Sequence, residues 1–197
     1  MCFGANRQRW RVPVLKTIIL LTGPVEQPVL GGILREHNPA LTIHPVATPD
    51  ELAAIAPKAL RGARLIAFCT DVLVGAEMLA KLKHGAYNFH PGPPHFPGWS
   101  PAHFAILQRA EAFGATAHLM VEKVDAGPIV GIDLFAVPAG ATVTSLEELT
   151  YLRLAQLFRR LAPALAKAEP LSELPVRWSG KKCTRAGYAA LCAGRVA

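Results

Sequence analysis

The feature that most restricts this chain is a regular exchange of short apolar runs of β type with segments of helical character. Val14 to Leu21 (VLKTIILL) reads as a buried strand closed by Thr22-Gly23-Pro24, and a helical stretch follows to about Glu36. Thr42 to Val46 is a second strand, Arg64 to Cys69 a third and Ala86 to Phe89 a fourth. Between them, Thr48-Pro49-Asp50-Glu51 matches a capping box with proline at the first helical position, and residues 75–82 form another helix. This alternation predicts an α/β fold, a mostly parallel central sheet with helices on both faces.

The second half continues with Pro101 to Gln108 as a helix and two strands, Ala115 to Val121 and Ile129 to Val137, joined by a loop carrying Asp125. Thr144-Ser145-Leu146-Glu147 reads as a second capping box, opening a long helix to about Lys167 with Leu149, Leu152, Leu154, Leu157, Leu161 and Leu165 as its apolar positions. No internal repeat or low-complexity segment is visible.

A chain of 197 residues, 51% apolar, fits one core-bearing domain. The net charge of +7 is concentrated at the two ends: residues 1–16 carry +4 through Arg7, Arg9, Arg11 and Lys16, and the segment from Glu173 onward another +4. The centre is therefore nearly neutral, which argues against a broad nucleic-acid face. Cys2, Cys69, Cys183 and Cys192 show no paired spacing, with Cys69 closing a buried run, and they suit a reducing compartment. Lys16 interrupts the apolar run after the N-terminal arginines, and no run approaches the roughly 18 residues of a membrane span. The expectation is a cytoplasmic protein with no membrane segment.

The chemistry gathers in three places: Asn88-Phe89-His90-Pro91-Gly92, Gly114-Ala115-Thr116-Ala117-His118 and Asp125-Ala126-Gly127-Pro128. Asn88 and His90, two apart on a strand, face the same side. The stretch from Pro91 to Pro101 holds five prolines and two glycines, a stiff exit that suits a preorganised site. An amide, an imidazole and a carboxylate are the groups needed to stabilise a tetrahedral oxyanion and move protons around it. Taken singly they are weak signals, since an Asp before Gly is commonly a turn residue. A metal site from His90, His95, His103 and His118 is a rival, but prolines separate the first two, no carboxylate cluster accompanies them, and no metal is expected.

These segments resemble the folate-dependent formyltransferase family, which includes glycinamide ribonucleotide, methionyl-tRNA and sugar-amine formyltransferases, most strongly from about Leu65 to Val137. The resemblance implies a Rossmann-like formyltransferase fold, with residues 1–172 as catalytic domain. Residues 173–197 read as a basic extension, in which Arg177-Trp178-Ser179-Gly180-Lys181-Lys182 has one aromatic. It is expected to be a terminal segment docked by Trp178, rather than closed over a phosphate or polyglutamate tail, and to make acceptor or homodimer contact. The resemblance also implies Asn88, His90 and Asp125 as the catalytic set, with His90 protonated and kept so by Asp125. It implies 10-formyltetrahydrofolate as donor, the pterin lying against Thr70, Asp71, Val72, Leu73 and Val74 and against Glu122, Lys123 and Val124. Pro91, Gly92, Thr116 and His118 are assigned to the substrate.

Where ribonucleotide-using members carry a phosphate loop after the first strand, this chain has Thr22-Gly23-Pro24-Val25-Glu26, whose proline and acid oppose an anion. The residues after the long helix are too few for the barrel of the tRNA-modifying members. The expected acceptor is therefore a small-molecule amine (sugar amine, amino-acid amine or N-hydroxylated amine), with tRNA disfavoured. Hydrolysis of the same donor, or a folate- or partner-binding module without turnover, are the alternatives.

Overall fold

The structure is a computed structural model and describes residues 14–194; Cys2, Arg7, Arg9, Arg11 and Arg195 lie outside the described residues. Six strands form one sheet in the order β2-β1-β3-β4-β5-β6. β1 (Thr17–Leu21), β2 (Thr42–Val46), β3 (Ala63–Phe68) and β4 (Ala86–His90) are parallel, while β5 (Ala112–Leu119) runs antiparallel to β4 and β6 (Ile129–Ala136) antiparallel to β5. Pro45 is tolerated in β2 because that strand lies at the sheet edge.

Alternate residues of the central strands feed two cores. Ile18, Leu20, Ile66, Phe68, Tyr87 and Phe89 pack under α1 (Glu26–His37) and α6 (Val143–Leu165). Ile19, Leu21, Leu65, Ala67 and Ala86 pack under α2 (Pro49–Ala53), α3 (Pro57–Leu60) and α4 (Ala76–Lys81). A third cluster joins Phe96, Phe104 of α5 (Pro101–Leu107), Phe113 and Cys183, and α7 (Arg185–Ala193) lays Tyr188 against it.

The Thr48–Glu51 capping box is present. The second box is displaced: α6 is capped by Thr142 and Ser145, two residues before the expected pair, because the buried stripe of this helix runs Leu146, Thr150, Leu154, Phe158, Ala162, Leu165. Leu152, expected in the stripe, is exposed. Cys69 is also exposed rather than buried, since β3 ends at Phe68 and the chain turns left-handed at Cys69 (φ 44°). α3 and α7 were not expected, although Pro57 at the first position of α3 and the Thr184 cap of α7 are helix-start signals.

Arg64 occupies an unusual position, fully buried in β3. Its guanidinium donates to the carbonyls of His84, Ala164, Leu165, Lys167 and Glu169 at 2.7–3.1 Å, so a cation closes the C-terminal end of α6. Among the described residues no helix is long and apolar enough to cross a membrane.

Candidate active site

The β4–β5 register builds the site. Asn88 pairs with His118 and His90 with Thr116, so four polar side chains share one patch of one sheet face. Phe89, Ala115 and Ala117 point to the opposite core. The loop between β5 and β6 folds back over this patch and delivers Asp125, held at φ 45°, a left-handed conformation that aspartate tolerates better than most residues. Gly127 permits the fold-back, because a Cβ there would sit 1.9 Å from the Leu119 carbonyl oxygen.

His90, His118 and Asp125 are each at most 5% exposed. Asp125 Oδ1 lies 3.2 Å from His118 Nε2; its Oδ2 accepts from the Gly98 N–H at 2.8 Å and faces His90 Nδ1 at 3.5 Å. His90 Nε2–H donates to the Phe96 carbonyl at 3.1 Å, and His118 Nδ1–H to the Leu119 carbonyl at 2.9 Å. With that nitrogen committed, His118 Nε2 either donates to Asp125 as an imidazolium or accepts from Asn88 Nδ2, also 3.2 Å away, as a neutral ring. His118 Nε2 and Asp125 Oδ1 can thus share one proton.

Burial would raise the Asp125 carboxyl, but the His118 hydrogen bond, the charges of His90 and His118 and the Gly98 N–H together hold it below its usual range. For His90 the balance is opposite. Burial pushes the imidazole below its ordinary value and outweighs the raising effect of Asp125 and the Phe96 carbonyl, so the neutral ring is favoured. The expectation of a protonated His90 is corrected accordingly: for a buried ring with its carboxylate 3.5 Å away, desolvation wins. The closer carboxylate contact goes to His118.

A cleft of about 540 Å³ opens onto Asn88, His90 and Asp125. It lies beyond the carboxyl ends of β3 and β4, where open α/β sheets bind ligands. Of the expected donor contacts, Thr70, Asp71, Leu73 and Val124 line it, and Pro91 lines it among the substrate contacts. Val72 and Val74 instead pack into the core under α2–α4, because alternate residues of this turn face inward. Glu122 is exposed, and Lys123 lines a second cleft.

Thr116 and Gly92 are also corrected. Thr116 is fully buried and donates to the Gly92 carbonyl at 2.7 Å, so the two brace the turn after β4 rather than meet a ligand. His118 is sealed behind Asn88 and Asp125. His95 stands edge-on to Phe96 and His103 sits beside Trp99 and Glu147, so the four histidines share no centre.

The far end of the cleft was not legible beforehand. It is walled by Glu147 and Tyr151 of α6, and the Tyr151 hydroxyl donates to Glu26 at 2.9 Å. Among the described residues the lining holds Asp71, Asp125 and Glu147 and no lysine or arginine.

Residues 47–156, more than half of the chain, match the family described as Formyl transferase. The chain belongs to that family. The methionyl-tRNA formyltransferase of Bacillus subtilis (strain 168) is 30% identical over 138 residues, covering 60% of this chain and 43% of that protein. Its counterpart from Listeria monocytogenes serotype 4a (strain HCC23) is 29% identical over 119 residues, covering 60% and 36%. The chain thus spans less than half the length of these curated relatives.

Many solved structures share the fold, and two illustrate it. The formyltransferase PseJ from Anoxybacillus kamchatkensis, in complex with UDP-4,6-dideoxy-4-formamido-L-AltNAc and tetrahydrofolate, superposes with a TM-score of 0.72 at 17% identity, covering 90% of both chains. A sugar N-formyltransferase from Shewanella sp FDAARGOS_354 superposes with a TM-score of 0.71 at 18% identity, covering 90% of this chain and 80% of that one. The Rossmann-like formyltransferase fold expected from the sequence is the fold observed.

Proposed function

We propose that this chain carries the catalytic centre of an N-formyltransferase acting from 10-formyltetrahydrofolate onto the amine of a small molecule. The observation that carries the reading is the meeting of Asn88, His90 and ionised Asp125 at the floor of one cleft. The cleft suits a flat heterocycle: exposed Leu73 and Val124 supply apolar contact, and Thr70 and Asp71 supply polar partners. Bound there, the donor supplies a formyl carbonyl that gains negative charge when an amine adds to it.

Asn88 offers its amide N–H to that oxygen. Neutral His90 can join it only by releasing its bond to the Phe96 carbonyl or by gaining a proton. Asp125, ionised at neutral pH, takes the proton that the attacking amine must lose, and the His118 contact steadies it. Returning that proton to the departing donor nitrogen balances the exchange.

The acceptor end favours an amine over an anion. Glu147, Asp71 and, through Tyr151, Glu26 disfavour a phosphate or a tRNA backbone and favour an amino sugar, an amino acid amine or a hydroxylamine. Support for a small acceptor also comes from PseJ, solved with a formamido sugar. The test is tetrahydrofolate release from the donor with a panel of these amines, in wild type and Asn88→Ala. Amine-dependent release that falls about 10²-fold in the variant fits loss of an oxyanion donor. Release independent of any amine points to hydrolysis, and no release in wild type refutes the reading.

A further inference from the structure

The segment after α6, beyond the 47–156 stretch that matches the family, runs back across the catalytic loops. Leu174 N–H donates to the Ile129 carbonyl, Ser179 N–H to Pro94 and Cys183 N–H to Pro97, while Trp99 N–H donates to Cys183. The Ser179 hydroxyl donates to the His95 carbonyl. This strap therefore holds both the loop after β4 and the start of β6. At its middle, the Trp178 indole N–H donates to the Gly127 carbonyl at 2.9 Å, and its ring stands T-shaped to His118 at 5.0 Å and to His90 at 5.7 Å.

We propose that Trp178 is a positioning residue of the active site: it ties the Asp125–Gly127 turn in place by its indole N–H and keeps water from the His90–His118 pair with its ring. The proposal rests on the functional reading above for its kinetic consequence, and on geometry alone for its structural one. The same strap fixes Gly98, whose N–H holds Asp125; a Cβ at Gly98 would lie 2.4 Å from the Cys183 carbonyl oxygen. The strap thus reaches the catalytic carboxylate by two routes, Trp178 to Gly127 and Cys183 to Gly98.

The burial that lowers His90 has Trp178 as one wall. The charged and titratable groups facing the cluster are Asp125 from the β5–β6 loop, His118 from β5 and Cys183 from the strap, with Lys123, Arg177, Lys182 and Glu173 around the adjoining cleft. None of these is removed by substituting Trp178, so a change in His90 titration reports water entry or a displacement of Asp125, and the Asp125 and Gly127 amide shifts tell the two apart.

The test compares Trp178→Ala and Trp178→Phe with wild type by NMR titration of the His90 and His118 rings, by backbone amide shifts and by kinetics. Trp178→Ala is expected to raise the His90 midpoint and to lower kcat by ten- to a hundredfold, with the donor KM changed less than kcat. Trp178→Phe keeps the ring and loses the N–H, so the His90 midpoint stays near wild type while the Gly127 and Asp125 amides shift. A folded Trp178→Ala protein with wild-type histidine titrations overturns the proposal. Should that variant not fold, unmoved Gly127 and Asp125 amides in Trp178→Phe overturn it equally. Absence of turnover in wild type refutes the functional reading and leaves the NMR outcome to decide on Trp178.

Discussion

Replacing Arg64 by methionine keeps most of the side-chain volume and removes the charge, and the structure sets the cost. Five carbonyl oxygens take the guanidinium's donors, three of them at 2.7 Å, and Nη1 alone serves Ala164, Leu165 and Lys167. Ala164 has a second donor in the Lys167 N–H, so its loss is partial. Of the other four, the Leu165 carbonyl is buried, whereas His84, Lys167 and Glu169 are partly or fully exposed and can recover some hydration, so the low end of the range applies. Hydrogen bonds to a charged donor contribute about 1.5–3 kcal/mol each, and the contributions do not add fully. Counting only the three short bonds at the low end gives about 4 kcal/mol, a large share of the 5–15 kcal/mol that holds a typical domain together. With a urea dependence of about 2 kcal/mol per molar, the midpoint should fall by about 2 M. Far-UV circular dichroism across a urea series measures this. A midpoint within 0.5 M of wild type, roughly 1 kcal/mol, would refute the idea that this cation closes the sheet and the end of α6 together. Arg64→Lys should fall between, since an ammonium has three donors and no fork.

Three further outcomes follow from the site. Asp125→Asn should preserve the left-handed turn, which asparagine also accepts, and lower kcat by about 10²–10⁴ through loss of the proton acceptor, read in the amine-dependent assay. Asp125 and His90 are both depressed in the folded protein, so each contributes stability that is present above its unfolded value, ordinarily 3.8 and 6.5, and is lost as pH falls through its lower folded value. Urea midpoints measured from pH 3 to 8 should therefore lose their slope below pH 6.5 in His90→Gln and below about pH 4 in Asp125→Asn; unchanged slopes contradict the assignment. Gly98→Ala forces a side chain into φ 102° and against the Cys183 carbonyl, and should destabilise by about 2–4 kcal/mol while lowering kcat/KM. A fully stable and active alanine variant would show that the strap is loose.

The parts of this molecule that were legible in its sequence are those written in local pattern. The second strand, Thr42–Val46, needs only its β-type run, and the Thr48 cap needs only residues 48–51. Asn88 and His90 sit on one face because a strand has a period of two, whatever surrounds it. Other features are decided by partners far away in the chain. Arg64 looks like an ordinary strand residue until the end of α6, a hundred residues later, offers its carbonyls. The shift of the α6 cap from Thr144 to Thr142 follows from which helix face meets β5, and Leu152 is turned outward for the same reason. His90 looked fit to carry a charge as a residue beside an aspartate. Its burial under loops that meet only in three dimensions favours the neutral ring. Trp178 gave the sequence one aromatic among basic residues; only the strap's path puts it on the two histidines.

The most direct measurement is a calorimetric titration of 5-formyltetrahydrofolate, the stable isomer of the donor, into wild type, Asp125→Asn and Val124→Glu. The expected result is saturable one-to-one binding that Asp125→Asn retains, because the carboxylate handles protons, and that Val124→Glu loses, because a further carboxylate replaces an apolar contact beside Asp71, Asp125 and Glu147. No binding to the wild type, or binding indifferent to Val124→Glu, would contradict the placement of a folate donor in this cleft.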